Sequence, residues 1–510
     1  MEENDLILAI AIIYYVVLIV GVGALARRRI KSANDFVNAS GQLSWVMVTF
    51  AFVLIPLGAG HTISLWESAP ALGASVMWWG IITGGIFLPL MMLWFGPWVR
   101  RTKLQTIPQI LEKIFGTKYS RLWSACVVAT WTGIGAAEVT ATGTAIYGLS
   151  EGVLPLFPWC ILIALVLIVL YVYFGGMLQM AWLNVVNSIV MLVGSYLGLF
   201  MLGVWLAANL GGWSGVMDIF ENMGKSDMLT NMNLGNSDMW TQIIIPVTVL
   251  HCAAGVVAQN MNSPFFAAES DKACRKGVFI GAGINALASI PWIIMALIVV
   301  ADLSPGGTGL IMSNVAASDI DKLAPITLAL AALPKPIVAV MMISLLAATL
   351  STGGATVMAN ANVLTNDIVK RAWRPNMSDK TNLKVTKVMI LVSAALFAFP
   401  ALSNAVIFPV FLWCFSFGIP VFVVYFMGLK FRSSKMAAWI TTMVVFVINF
   451  IWTFWTPGWA TGIWSLNMYP VTVVSLVLGI ALSLAPLPGS KPGLLSKGQK
   501  MADLSVNKGV

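Results

Sequence analysis

Leu54-Ile55-Pro56-Leu57-Gly58-Ala59-Gly60-His61 lies in the middle of an apolar segment, about 43–66, that is long enough to span a bilayer. Proline removes a backbone donor and clashes with the preceding turn, and glycine lowers the cost of unwinding, so the helix is expected to break here. A second segment, about 241–262, carries Pro246-Val247-Thr248-Val249-Leu250-His251 followed by Ala253-Ala254-Gly255. Freed carbonyls persist at membrane depth only where they line a cavity or meet a ligand. One such break reads equally well as an ordinary proline kink. Two of them, each with a histidine five residues after its proline, point to a midplane binding site between inverted repeats.

Composition sets the context for these breaks. The chain has 510 residues, 59% of them hydrophobic and only 10% charged, where a soluble protein carries about 25% charged residues. Such a chain cannot clothe a water-facing surface, which excludes a cytosolic enzyme, a nucleic-acid binder and a secreted scaffold. It reads as an all-α polytopic membrane protein. Hydropathy places thirteen spans near 5–25, 43–66, 74–98, 119–148, 157–174, 179–208, 241–262, 278–302, 334–369, 385–402, 405–429, 436–455 and 469–486. The long loops 209–240 and 303–333 have room for short helices lying on the surface.

Of the 29 Lys and Arg, all but Lys225, Lys322 and Lys335 fall in alternate loops and the C-terminal tail. The positive-inside rule then sets the N-terminus outside and the C-terminus in the cytoplasm, in a cell inner membrane. The acidic start and the first apolar stretch, ending at Arg27-Arg28-Arg29, read as a retained helix and not as a cleaved signal. The single transmembrane domain divides into an extra N-terminal helix (1–42), a first repeat (43–208), a second repeat (241–429), two extra helices (436–486) and a cytoplasmic tail (487–510). Cys126, Cys160, Cys252, Cys274 and Cys414 show no paired spacing and read as small buried residues, with no metal or disulfide chemistry expected of them.

Three stretches resemble the sodium:solute symporter family, which includes sodium/proline, sodium/glucose and sodium/sialic acid carriers. Tyr171-Val-Tyr-Phe-Gly-Gly-Met-Leu-Gln-Met-Ala-Trp182-Leu-Asn184-Val-Val-Asn187 is similar to the family's junction between two core helices. Gln259-Asn-Met-Asn-Ser-Pro-Phe-Phe-Ala267-Ala268-Glu-Ser-Asp271-Lys272-Ala-Cys-Arg275-Lys276 matches a family loop in length and in its basic end. Leu346-Ala347-Ala348-Thr349-Leu350-Ser351-Thr352, running on to Leu364-Thr365-Asn366-Asp367, resembles the family's Ala-Ala-x-x-Ser-Thr stretch and is the most specific of the three. The resemblance implies a LeuT-type 5+5 inverted-repeat bundle, alternating access and solute uptake driven by a sodium gradient. It also implies a Na+ site made of the carbonyls of Leu54, Leu57 and Ala348 with the hydroxyls of Ser351 and Thr352. The chemistry agrees: dehydrated Na+ is a hard cation, and unwound backbone plus Ser/Thr hydroxyls supply the oxygens it needs.

Departures from the family pattern carry their own expectations. Some members hold a second Na+ with an Asp and small hydroxyls; here those positions are Asn184, Gly354 and Ala355, so one Na+ per cycle is expected. Ser263-Pro264 replaces the family's Gln-Arg, and Pro56 stands where relatives often carry Asn or Asp. Glu138 is the one acid near the middle of a span, and charges at that depth are costly and usually functional. It can hold an ammonium group, carry a proton or coordinate a cation. His61, Glu138, His251 and Gln259 are the candidate solute contacts, with Trp78, Trp79, Trp131 and Trp413 within possible reach of the cavity. With every Lys and Arg at a loop or span end, a neutral or amine-bearing solute is expected ahead of a sugar acid.

The reading is therefore a Na+/solute symporter that performs no covalent chemistry, its partners being a small solute, Na+ and the bilayer. A proton-coupled carrier using Glu138 and the histidines is the first alternative, and a membrane-embedded solute sensor the second. The topology has a direct check. Green fluorescent protein fused at Val510 is expected to fluoresce in a bacterial host, while alkaline phosphatase fused there stays inactive. The opposite pair of signals overturns the orientation.

Overall fold

The computed structural model describes residues 3–58, 62, 65, 69, 73–150, 154–230, 240–310, 320–402 and 407–495; His61 lies outside the described residues. Eleven helices among these are long and apolar enough to cross a membrane, and the shorter apolar helices Trp45–Leu54 and Met468–Leu484 stand where the second and thirteenth spans are expected. In chain order the elements are α1 (Glu3–Arg27), α2 (Trp45–Leu54), α3 (Gly73–Arg101), a short helix α4 (Ile107–Phe115), α5 (Thr117–Leu149), α6 (Ile161–Tyr173) and α7 (Gly176–Asn209). The chain continues through α8 (Trp240–Val257), α9 (Gln259–Phe266), α10 (Asp271–Leu303), α11 (Lys335–Val363), α12 (Asp379–Ala401), α13 (Leu412–Lys430), α14 (Lys435–Phe454) and α15 (Met468–Leu484). Short helices do occupy the two long loops, at Trp213–Asn222 and Ile320–Ala332.

The architecture is the LeuT-type bundle. Helices apolar all round are helices buried in lipid or in one another. α11 runs along α7 and α5, α2 is held between α7 and α10, α1 packs outside α6, α7 and α11, and α14 and α15 pair against each other. Large apolar side chains such as Val17, Phe200, Phe279, Phe399 and Val477 stay exposed on the outer faces, as lipid contact requires. Ser344 of α11 donates to the Met191 carbonyl of α7 at 2.7 Å, one of the polar clasps that hold helices together where lipid offers no hydrophobic drive.

Both broken helices appear. α2 stops at Leu54, and residues 55–58 pass through turns. The second break falls later than the proline predicts. The chain stays helical through Pro246 and His251 to Val257, becomes extended at Ala258 (φ −79°, ψ 130°) and restarts as α9. Pro246 follows a widened turn, Trp240–Ile244, and sits at the start of the next helical turn, a position that tolerates a missing N–H. The break forms instead where its carbonyls can be satisfied. Asn262 Nδ2 reaches the carbonyls of Gly255, Val256 and Ala258 at 3.0, 3.1 and 2.7 Å.

At the basic end of the bundle the two broken helices are tied together. The Leu43 N–H, just before α2, donates to the Ala267 carbonyl just after α9, and the Glu269 N–H donates back to Leu43, both at 2.9 Å. Arg100 of α3 adds bonds to the Ala268 carbonyl (3.0 Å), the Glu269 carbonyl (2.6 Å) and Asp271 (3.0 Å). Removing the side chain that satisfies the second break is expected to destabilise the fold. Asn262→Ala should lower stability by about 1–3 kcal/mol, the typical cost of unsatisfied buried carbonyls. A variant that melts with the wild type in detergent would show that Asn262 is dispensable there.

Candidate functional site

Thr352, in the middle of α11, points its hydroxyl at the end of α2. Its Oγ1 lies 2.9 Å from the Leu54 carbonyl, 3.2 Å from that of Ile55 and 3.4 Å from that of Ala348 in its own helix. Ser351 donates to the same Ala348 carbonyl at 2.7 Å. One hydroxyl hydrogen thus faces three carbonyls, in a crowded, buried set of oxygens. Such a set suits a hard, dehydrated cation. Of the residues expected at the site, Leu54, Ala348, Ser351 and Thr352 are brought together here. Leu57 sits buried on the following turn. The Ile55 carbonyl joins the set without having been anticipated. It belongs to the same unwound stretch, and only the direction of the break puts it on the α11 side.

Glu138 of α5 reaches the same place. It is 2% exposed. A Cβ built on Gly58 would lie 2.4 Å from Glu138 Oε1 and 2.5 Å from Thr352 Oγ1. The two oxygens therefore flank one point on the unwound turn, and only glycine leaves room for both. The sequence reading grouped Glu138 with the solute contacts; the fold places its carboxylate oxygen beside Thr352.

The positions at which some family members are expected to hold a second ion are occupied here by packing. Tyr171 donates to Asn184 Oδ1 at 2.9 Å and accepts from Asn187 Nδ2 at 2.8 Å, joining α6 to α7. Its ring lies against Gly354, where a Cβ would stand 2.7 Å from the ring. A hydroxyl-bearing residue at 354 would collide with it.

The remaining candidates lie elsewhere. His251 is buried in α8, its Nδ1 3.0 Å from the Val247 carbonyl, and its ring centroid is 5.6 Å from that of Phe415. Phe415 stands edge-on to Trp131 at 5.2 Å, so α5, α8 and α13 meet through three rings in contact. Gln259 begins α9 and is spent on backbone: Oε1 accepts from the Ile107 N–H at 2.9 Å and Nε2 donates to the Gln105 carbonyl at 3.1 Å. These bonds tie the second break to α4. Trp79 is buried, and Trp413 lines an apolar cavity of about 420 Å³ with Thr130, Ala137, Phe417 and Phe450, among others. Glu138 leaves α5 on another side and does not line it.

The sequence profile described as the sodium:solute symporter family matches residues 36–430. A sodium/glucose cotransporter of Vibrio parahaemolyticus is 23% identical over 75% of this chain and 73% of its own length. Sodium/myo-inositol cotransporter 2 of Rattus norvegicus is 25% identical over 46% of this chain. The match spans about a third of the length of such mammalian relatives (34% and 33%). Among solved structures, a Na+-coupled sialic acid symporter in a substrate-bound, outward-open state superposes with a TM-score of 0.75 at 16% identity, over 94% of this chain and 96% of that one. At that identity the likeness is one of fold.

The crowding at Gly58 generates a prediction of its own. Gly58→Ala forces Glu138 or Thr352 out of place and should cost about 1–3 kcal/mol of stability, as overpacking does. A melting temperature equal to the wild type's would mean that the turn yields freely.

Proposed function

This chain belongs to the sodium:solute symporter family, and we propose that it imports a small neutral or amine-bearing organic solute by Na+ symport through alternating access, with one Na+ per cycle. The observation that carries the reading is the Thr352 hydroxyl set among the carbonyls of Leu54, Ile55 and Ala348. An ion bound there touches the broken helix of the first repeat and the unbroken α11 of the second, so its arrival changes how the two repeats fit. That is what coupling requires: an ion shifts a conformational equilibrium only through its different affinity for the two states. In this reading residues 43–208 and 241–429 are the repeats that move relative to each other in the plasma membrane, with the N-terminus outside.

The stoichiometry of one rests on the Tyr171 ring against Gly354 and the Asn184–Tyr171–Asn187 bonds, which occupy the place where some relatives bind a second ion. The solute class rests on the placement of Lys and Arg at loop and span ends, which leaves a carboxylate without a natural partner at depth. His251 and the aromatic rings beside it are the nearest candidates for solute contact, together with His61.

The test is thermal stability of the purified protein in NaCl against KCl. A bound ion at about 100 times its dissociation constant adds roughly 2.7 kcal/mol. A rise specific to Na+, with a Hill slope near one and lost when Ser351→Ala and Thr352→Ala are combined, is the expected outcome. No Na+-specific response in the wild type overturns the sodium reading, and a Hill slope near two overturns the stoichiometry.

A further inference from the structure

We propose that the Glu138 carboxylate is itself a ligand of the coupled cation, giving this site an anionic oxygen in addition to its carbonyls and hydroxyls. The proposal rests on the sodium reading above and assigns Glu138 to the ion and not to the solute. Three observations place it there. Glu138 is buried, in the middle of α5. Its Oε1 and Thr352 Oγ1 both stand within 2.5 Å of the place a Cβ would take on Gly58, so they are no more than twice that distance apart. Thr352 Oγ1 is in turn the centre of the carbonyl cluster of Leu54, Ile55 and Ala348.

The separation suits a shared ion. Na+ has nearly the radius of Ca2+, whose oxygen ligands stand about 2.3–2.6 Å away, so two ligands of one such ion are up to about 5 Å apart. The charge argument points the same way. Neutral oxygens alone would leave a bound Na+ as an uncompensated positive charge at membrane depth, which is costly. A carboxylate at the ion offsets that charge. The glycine at 58 is what lets the carboxylate approach the unwound turn, since any side chain there would hold it off.

Geometry also sets the consequence. An ion held by an acid from α5, a hydroxyl from α11 and carbonyls from the end of α2 joins three helices, and α5 then feels the ion directly. With Glu138 engaged by the ion, an amine-bearing solute loses the acid that would have paired with it, and a neutral solute becomes the simpler cargo.

The experiment is Na+ binding without solute, read as the concentration dependence of the thermal shift in NaCl at constant ionic strength with KCl, in the full-length wild type and in Glu138→Gln and Glu138→Asp. Glu138→Gln keeps size and hydrogen-bonding capacity but removes the charge, and should weaken Na+ binding at least tenfold while melting like the wild type in KCl. Glu138→Asp, with the charge drawn back by one methylene, should fall between the two. Wild-type Na+ affinity in a folded Gln variant overturns the proposal, and if that variant loses solute binding as well, Glu138 serves the solute. If the Gln variant does not fold, the Asp variant decides: unchanged Na+ affinity there is equally fatal. A wild type that ignores Na+ fails earlier and takes the sodium reading with it, so the two failures are told apart by the wild-type titration alone.

Discussion

A helix that ends inside a membrane leaves carbonyls with no water to bind, and the whole central part of this molecule answers that one problem. At the end of α2 the answer is a hydroxyl from another helix: Thr352 of α11 reaches the carbonyls of Leu54 and Ile55. At the end of α8 it is an amide from the next turn: Asn262 gathers Gly255, Val256 and Ala258. The two solutions differ in kind. Asn262 lies on the restarted helix and closes its break locally, whereas Thr352 reaches its break from another helix. At the second break the helix restarts at once, as α9. The first-repeat helix ends against the Thr352 hydroxyl, among carbonyls drawn from two helices.

The rest of the packing serves to keep that set where it is. α2 is short and held between α7 and α10, while α11 is clasped to α7 through Ser344 and Met191. Tyr171, fixed by Asn184 and Asn187, presses on Gly354 one turn beyond Ser351. At the basic end, the Leu43–Ala267 and Glu269–Leu43 bonds link the two broken helices, and Arg100 fastens the loop after α9 to α3. Gln259 extends this fastening to α4 through Gln105 and Ile107. The oxygen cluster therefore lies deep in the bundle, above an end that is bolted by backbone hydrogen bonds and an arginine.

The sequence made the number and order of the spans legible because hydropathy is a sum over many residues and tolerates local error. The Ser351-Thr352 pair was legible for a different reason: two small hydroxyl residues inside a long apolar helix have few structural excuses, and the family pattern gave them a place. The second break was misjudged because proline marks a weak point without saying whether the next turn absorbs it. The widened turn at Trp240–Ile244 did absorb it, and Asn262, four residues beyond Ala258, chose the real location. Gln259 was read as a candidate solute contact. Its amide is bonded to backbone at Gln105 and Ile107, more than 150 residues away in the chain.

What the sequence determined alone is the class of the molecule, its spans, the presence of two weak helices and the hydroxyl pair, since these depend on composition and on neighbours along the chain. What only the tertiary structure decided is which atoms meet. Glu138, Gly58 and Thr352 belong to α5, to the unwound turn after α2 and to α11, and nothing in their spacing says that the acid of one helix comes to that turn. Helix packing sets that meeting, because the rotation of α5 about its own axis decides which of its side chains faces α2, and that rotation is fixed by every contact along its length and not by the residues around Glu138.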